Sequence, residues 1–126
     1  MSILIVEDSA DELLLVEHFL KNGGYTDVLP ARSAREAFRY LGIENSEPSL
    51  PSIDLILLDV LMPEMDGIEA CRRIKANESL HHIPVIIATS LHDHKSLQLA
   101  FDAGANDYIA KPLSYIELIA RVRSSL

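Results

Sequence analysis

A chain of 126 residues, 48% of them hydrophobic, is long enough to bury the core of one domain and leaves little room for a second. Its 19 acids against 11 bases give a formal charge of −8, which argues against a surface built to neutralise nucleic-acid phosphates, a task for clustered Lys and Arg. The single cysteine, Cys71, excludes an internal disulfide and a Cys-rich metal cluster, and no stretch reaches the ~20 apolar residues of a membrane-spanning helix.

The opening "MSILIVED" carries only a short apolar run before acids intervene, so no signal peptide is expected and a reducing cytoplasm is the expected setting. "ILIV", Ile3 to Val6, is a continuous apolar run of strand length that ends in Glu7 and Asp8. A helix closing at Gly23, after "HFLKN", leads to the second strand, "DVLPA", Asp27 to Ala31. There Pro30 removes a ladder donor, which predicts an edge position. Ser33 with Glu36 fits a capping box, and Ala34, Ala37, Phe38 and Leu41 then recur at helical spacing. The polar "ENSEPSLPS", Glu44 to Ser52, reads as an inserted loop because the pattern resumes directly after it, with the third strand "DLILLD", Asp54 to Asp59.

Pro63 and Gly67 in "MPEMDG" form a turn out of that strand, and Gly67, Ala70, Cys71 and Ile74 mark the apolar stripe of the next helix, with Cys71 as a small core residue. The fourth strand, "PVIIAT", ends in Thr89 and is followed by Ser90. Gly104 closes a helix after "QLAFDA", and the fifth strand, "DYIA", Asp107 to Ala110, runs into Lys111 and Pro112. Ser114 with Glu117 caps a last helix whose stripe is Tyr115, Leu118, Ile119 and Val122. His81 and His82 are adjacent and His92 and His94 two apart; neither spacing suits a zinc site, so all four read as surface loop residues.

Strand and helix alternate five times, and most of the strands are continuous apolar runs rather than alternating ones, which predicts an α/β fold with a parallel sheet covered by helices on both faces. In such sheets sites form beyond the carboxyl ends of the strands. Glu7, Asp8, Asp59, Thr89, Ser90 and Lys111 all stand at those ends. Three acids gathered there repel one another and raise each other's pKa, and a hard cation such as magnesium relieves the conflict. Magnesium keeps open positions for a phosphate oxygen, so the set suits phosphoryl chemistry.

The acid pair in "VEDS", the strand-end aspartate in "LLDVLMPEMDG", the hydroxyl of "ATS" and the lysine of "KP" together resemble the receiver domain of bacterial two-component response regulators, over about Ile3 to Arg123. The resemblance implies a flavodoxin-like (βα)5 doubly wound fold of five parallel strands, as one receiver domain over 1–126 with no output domain in this chain. It implies that Asp59 accepts a phosphoryl group from a histidine kinase or phosphotransfer protein, with Mg2+ held by Glu7, Asp8, Asp59 and the backbone carbonyl of Leu61. Thr89 would bond one phosphoryl oxygen and Lys111 pair with another, with Lys111 aimed by a cis bond to Pro112. Thr89 and Tyr108 would form a switch acting on the surface around the fourth helix, fifth strand and fifth helix, a face that also suits a homodimer. Leu61 and Leu91 flank the path of an attacking water and predict slow self-dephosphorylation. Glu7, where the family more often has aspartate, is a mild departure that bears on metal geometry.

Rival readings fit less well. A flavin carrier needs a phosphate loop where this chain has the acidic "EDSADE", and a haloacid-dehalogenase-type phosphatase needs a second acid where Leu61 stands. A receiver-fold interaction domain independent of phosphorylation is the alternative, but it would be expected to lack Asp59, Thr89 or Lys111.

Overall fold

The computed structural model describes residues 1–43, 52–60, 65–90 and 94–126. Five strands and five helices alternate: β1 Ile3–Val6, α1 Ala10–Asn22, β2 Val28–Ala31, α2 Ala34–Leu41, β3 Leu55–Leu58, α3 Gly67–Ala76, β4 Val85–Thr89, α4 His94–Asp102, β5 Asp107–Ala110 and α5 Tyr115–Ser125. The strands form one parallel sheet in the order β2-β1-β3-β4-β5. The predicted α/β architecture is therefore present, and β2 with Pro30 lies at an edge, where the missing donor is tolerated.

Side-chain alternation along the strands divides the core in two. Ile3, Ile5, Leu55, Leu57 and Ile86 face Leu13, Val16 and Leu20 of α1 and Leu118, Ile119 and Val122 of α5. Leu4, Val6, Ile56, Leu58 and Ile87 face α2, α3 and α4 through Phe38, Leu41, Ile74 and Ala100. The inner strands are buried on both faces, which is why they read as unbroken apolar runs. Each such side chain contributes roughly 1.5–3 kcal/mol over its exposed state, so the strand ends rest on a rigid platform.

The strands are slightly shorter than the apolar runs suggest. Asp27, Asp54 and Pro84 fall just outside them, and Asp27 and Asp54 instead take hydrogen bonds from Ser2, whose hydroxyl donates to Asp27 and whose amide donates to Asp54 at 2.8 Å. The serine caps behave as expected in part. The Ser33 and Ser114 hydroxyls accept from the amides of Glu36 and Glu117, but the Glu36 carboxylate accepts from Arg32, one residue earlier than a capping box requires, and from the Tyr40 hydroxyl. The loop at 44–51 lies outside the described residues.

Candidate functional site

Strand order reverses between β1 and β3, and the crevice beyond their carboxyl ends is where the acidic residues gather. Glu7 and Asp59 each stand one residue past a strand, yet both remain tied to the sheet. The Glu7 amide donates to the Ala31 carbonyl at 2.9 Å and the Asp59 amide to the Val6 carbonyl at 3.0 Å. Lys111, one residue past β5, donates its amide to the Thr89 carbonyl at 2.8 Å. Their backbones thus share the rigidity of the core, although their side chains project beyond it.

Those side chains meet. Lys111 Nζ lies 2.7 Å from Glu7 Oε1 and 3.5 Å from Asp59 Oδ1, and all three residues are nearly closed off from solvent. Apolar residues line the cavity beneath them, among them Ile5, Leu57, Ala88 and Leu118. A third carboxylate completes the group: Glu12 Oε2, from the first turn of α1, is also 2.7 Å from Lys111 Nζ. Oxygens of Glu7, Glu12 and Asp59 lie within 4.8 Å of one another, close enough to share one cation.

Three carboxylates face one ammonium at this spot, and the electrostatics register the imbalance. Burial, helped by the charge of Asp59, pushes the Glu7 carboxyl up to about 7 even though Lys111 pulls it the other way. Burial works against the charged form of Lys111 too, but its hydrogen bonds to Glu12 and Glu7 and the charge of Asp59 outweigh that and hold the ammonium above its ordinary value. A hard divalent cation seeking oxygen ligands suits this donor set, because it supplies the positive charge the cluster lacks.

Asp8, half-buried beside Glu7, lies outside that trio; its backbone carbonyl accepts from Arg32 Nε at 3.2 Å and Nη2 at 2.8 Å, which pins the loop between β1 and α1. Thr89 is fully buried at the end of β4. In the parallel register Ile87 pairs with Tyr108 and Thr89 with Ala110, so Thr89 and Tyr108 sit on the same face of adjacent strands, the face covered by α3 and α4. The bond between Lys111 and Pro112 is cis, as expected. Leu61, Pro63, Leu91 and His92 lie outside the described residues. His81, His82 and His94 are exposed, as surface residues should be, but His94 is the first residue of α4 rather than part of a loop; Cys71 is buried with its thiol directed at the Ala103 carbonyl.

Glu12 and Arg32 belong to none of the motifs that mark the other site residues. Their only signals are weak. Glu12 lies five residues after Glu7, in a first helical turn where acids are common anyway, and Arg32 directly follows β2.

Comparison with known proteins agrees with this geometry. Residues 3–123 match the response regulator receiver domain family. The chain is 40% identical over 125 residues to a probable cyclic di-GMP phosphodiesterase of Vibrio cholerae, covering 99% of this chain and 26% of that protein. It is 41% identical over 123 residues to the transcriptional regulatory protein CrdR of Helicobacter pylori, covering 96% and 53%. The chain thus spans about a quarter to a half of these relatives' length. Among solved structures, the signal receiver domain of a Syntrophus aciditrophicus signal transduction histidine kinase superposes with a TM-score of 0.86 at 41% identity, over 99% of this chain and 89% of that one. The receiver domain of the Pseudomonas aeruginosa sensor histidine kinase PA1611, solved with a magnesium ion coordinated in its active-site cleft, superposes at 0.82 with 30% identity, over 98% and 94%. No helix among the described residues is long and apolar enough to cross a membrane. A parallel five-stranded sheet, an acid cluster at its topological switch point and a family match over nearly the whole chain lead to one assignment: this chain belongs to the response regulator receiver domains of two-component signalling.

Proposed function

We propose that Asp59 is the phosphoacceptor of this receiver and that it takes its phosphoryl group from the phosphohistidine of a histidine kinase or phosphotransfer protein. The observation that carries this is the approach of Lys111 Nζ to within 3.5 Å of a buried Asp59 carboxylate at the strand-order reversal. An Asp59 oxygen attacks phosphorus in line; the new P–O bond forms as the bond to the histidine nitrogen breaks, and the nitrogen keeps the electron pair. Lys111 and the Thr89 hydroxyl receive two of the outer oxygens. The low exposure of the site keeps water away from the acyl phosphate and strengthens these contacts.

Magnesium is the cofactor this reading requires, with Glu7, Asp8 and Asp59 offering carboxylates and Leu61 a carbonyl, and when bound it neutralises charge developing on the phosphoryl oxygens. Glu7 must give up its proton to serve, which couples cation binding to pH. Once the Thr89 hydroxyl engages the phosphoryl group, Tyr108 on the neighbouring strand moves into the space released, and the surface of α4, β5 and α5 shifts towards one of two pre-existing arrangements. That surface is the proposed route to output and to a homodimer. We read the chain as a single receiver domain over 1–126, acting in the cytoplasm.

Intact mass after incubation with acetyl phosphate tests this reading. One phosphoryl adduct is expected with magnesium and none after chelation. An adduct that is indifferent to chelation would refute the magnesium-dependent mechanism, and no adduct from either acetyl phosphate or a phosphorylated kinase would favour a phosphorylation-independent interaction domain.

A further inference from the structure

The ion pair between Glu12 and Lys111 has no part in the transfer just described, yet it occupies one of the ammonium's three donors. Glu7 takes a second at the same 2.7 Å distance. Asp59 Oδ1 stands 3.5 Å from the same nitrogen, beyond the two close contacts, so Lys111 has to shift towards Asp59 to give a phosphoryl oxygen there a short bond, and that shift draws it off one of its two close partners. Their surroundings decide which. The Glu7 side chain is 5% exposed and has no water to turn to, whereas the Glu12 side chain is 44% exposed and returns to water at little cost.

We propose that Glu12 is a positioning residue that holds Lys111 in the unphosphorylated state and competes with the phosphoryl group for it, thereby setting how readily Asp59 is phosphorylated. Glu12 is well placed to act as this latch. The Ser9 hydroxyl accepts from its amide at 3.4 Å and fixes the start of α1, so Glu12 reaches Lys111 from a helix, whereas Glu7 and Asp59 reach it from the strand ends. Breaking the pair leaves the Glu7 contact intact, so Lys111 swings about a remaining anchor instead of being released outright.

This inference rests on Asp59 being the acceptor, and its test separates the two ideas. Initial rates of phosphoryl uptake from acetyl phosphate and the magnesium affinity are measured for wild type, Glu12→Gln, Lys111→Met and the double variant. In the metal-free wild type and Glu12→Gln proteins, the side-chain ammonium of Lys111 is followed by nitrogen-15 NMR. Glu12→Gln is expected to speed uptake at saturating magnesium about two- to five-fold, the range for a half-exposed ion pair, and to shift the Lys111 ammonium signal. The acceleration should vanish in the Lys111→Met background.

An unchanged Lys111 signal or an unchanged rate would overturn the proposal. An acceleration that persists without Lys111 would also overturn it, since Glu12 would then act by simple repulsion of the phosphoryl group. Magnesium affinity falling in step with uptake would replace the latch with a metal-ligand role. A wild-type protein that takes up no phosphoryl group at all would refute the acceptor reading itself, and the latch with it.

Discussion

Gly67 lies directly against Asp59. A Cβ placed on Gly67 would run into the Asp59 carbonyl oxygen and come within 2.8 Å of Val60 Cα, and the Gly67 amide already donates to the Val60 carbonyl at 2.9 Å. The obstructing atoms are backbone, so no rotamer change relieves the clash. Gly67→Ala is therefore expected to destabilise the fold by about 1–3 kcal/mol, the usual cost of overpacking, and to push Asp59 away from Lys111. Chemical denaturation and the rate of phosphoryl uptake check the two effects; a variant with wild-type values in both would contradict this packing.

Glu7 makes stability depend on pH in an unusual direction for an acid. Its folded-state value of about 7 lies above the ordinary 4.5, so between these limits the folded protein holds a proton that the unfolded chain has lost. For this group, stability is greatest below pH 4.5 and falls as pH rises through about 7. Thermal melts of the magnesium-free protein should show a loss of stability across that window that is smaller in Glu7→Gln. A variant with the same slope as wild type would place the proton elsewhere.

Thr89 and Tyr108 share one face of neighbouring strands, so removing the hydroxyl should uncouple acceptance from response. Thr89→Ala is expected to retain an Asp59 adduct while the changes that phosphorylation induces in amide resonances of α4, β5 and α5 largely disappear. Full wild-type shift changes in that variant would remove Thr89 from the switch.

Lifetime is the prediction that rests most on sequence. Apolar Leu61 and Leu91 orient water poorly, so the adduct is expected to decay over minutes or longer; a half-life of seconds, measured by loss of the adduct mass, would contradict it.

The fold was legible because its causes are local and repeated. Double-sided burial makes β1, β3 and β4 unbroken apolar runs, and one-sided burial writes a helical period into α2, α3 and α5. Asp59 was legible because an acid directly after a fully buried strand stands out, and Lys111 because it directly follows a strand and precedes a proline. The second close partner of Lys111 was not. Glu12 is 99 residues from Lys111 along the chain, and its meeting with the lysine depends on how α1 lies across the strand ends rather than on any neighbouring residue. An upward shift at the gathered acids was expected from their mutual repulsion, but its largest cause at Glu7, burial, is a property of the assembled cluster.

The most direct test of the phosphoacceptor assignment is to locate the phosphoryl group. Borohydride reduces an aspartyl phosphate to homoserine, and peptide mass mapping then reads the converted position. Homoserine at position 59 alone, dependent on magnesium and acetyl phosphate, is the expected result. Conversion at Asp8, or elsewhere with Asp59 untouched, would contradict the assignment.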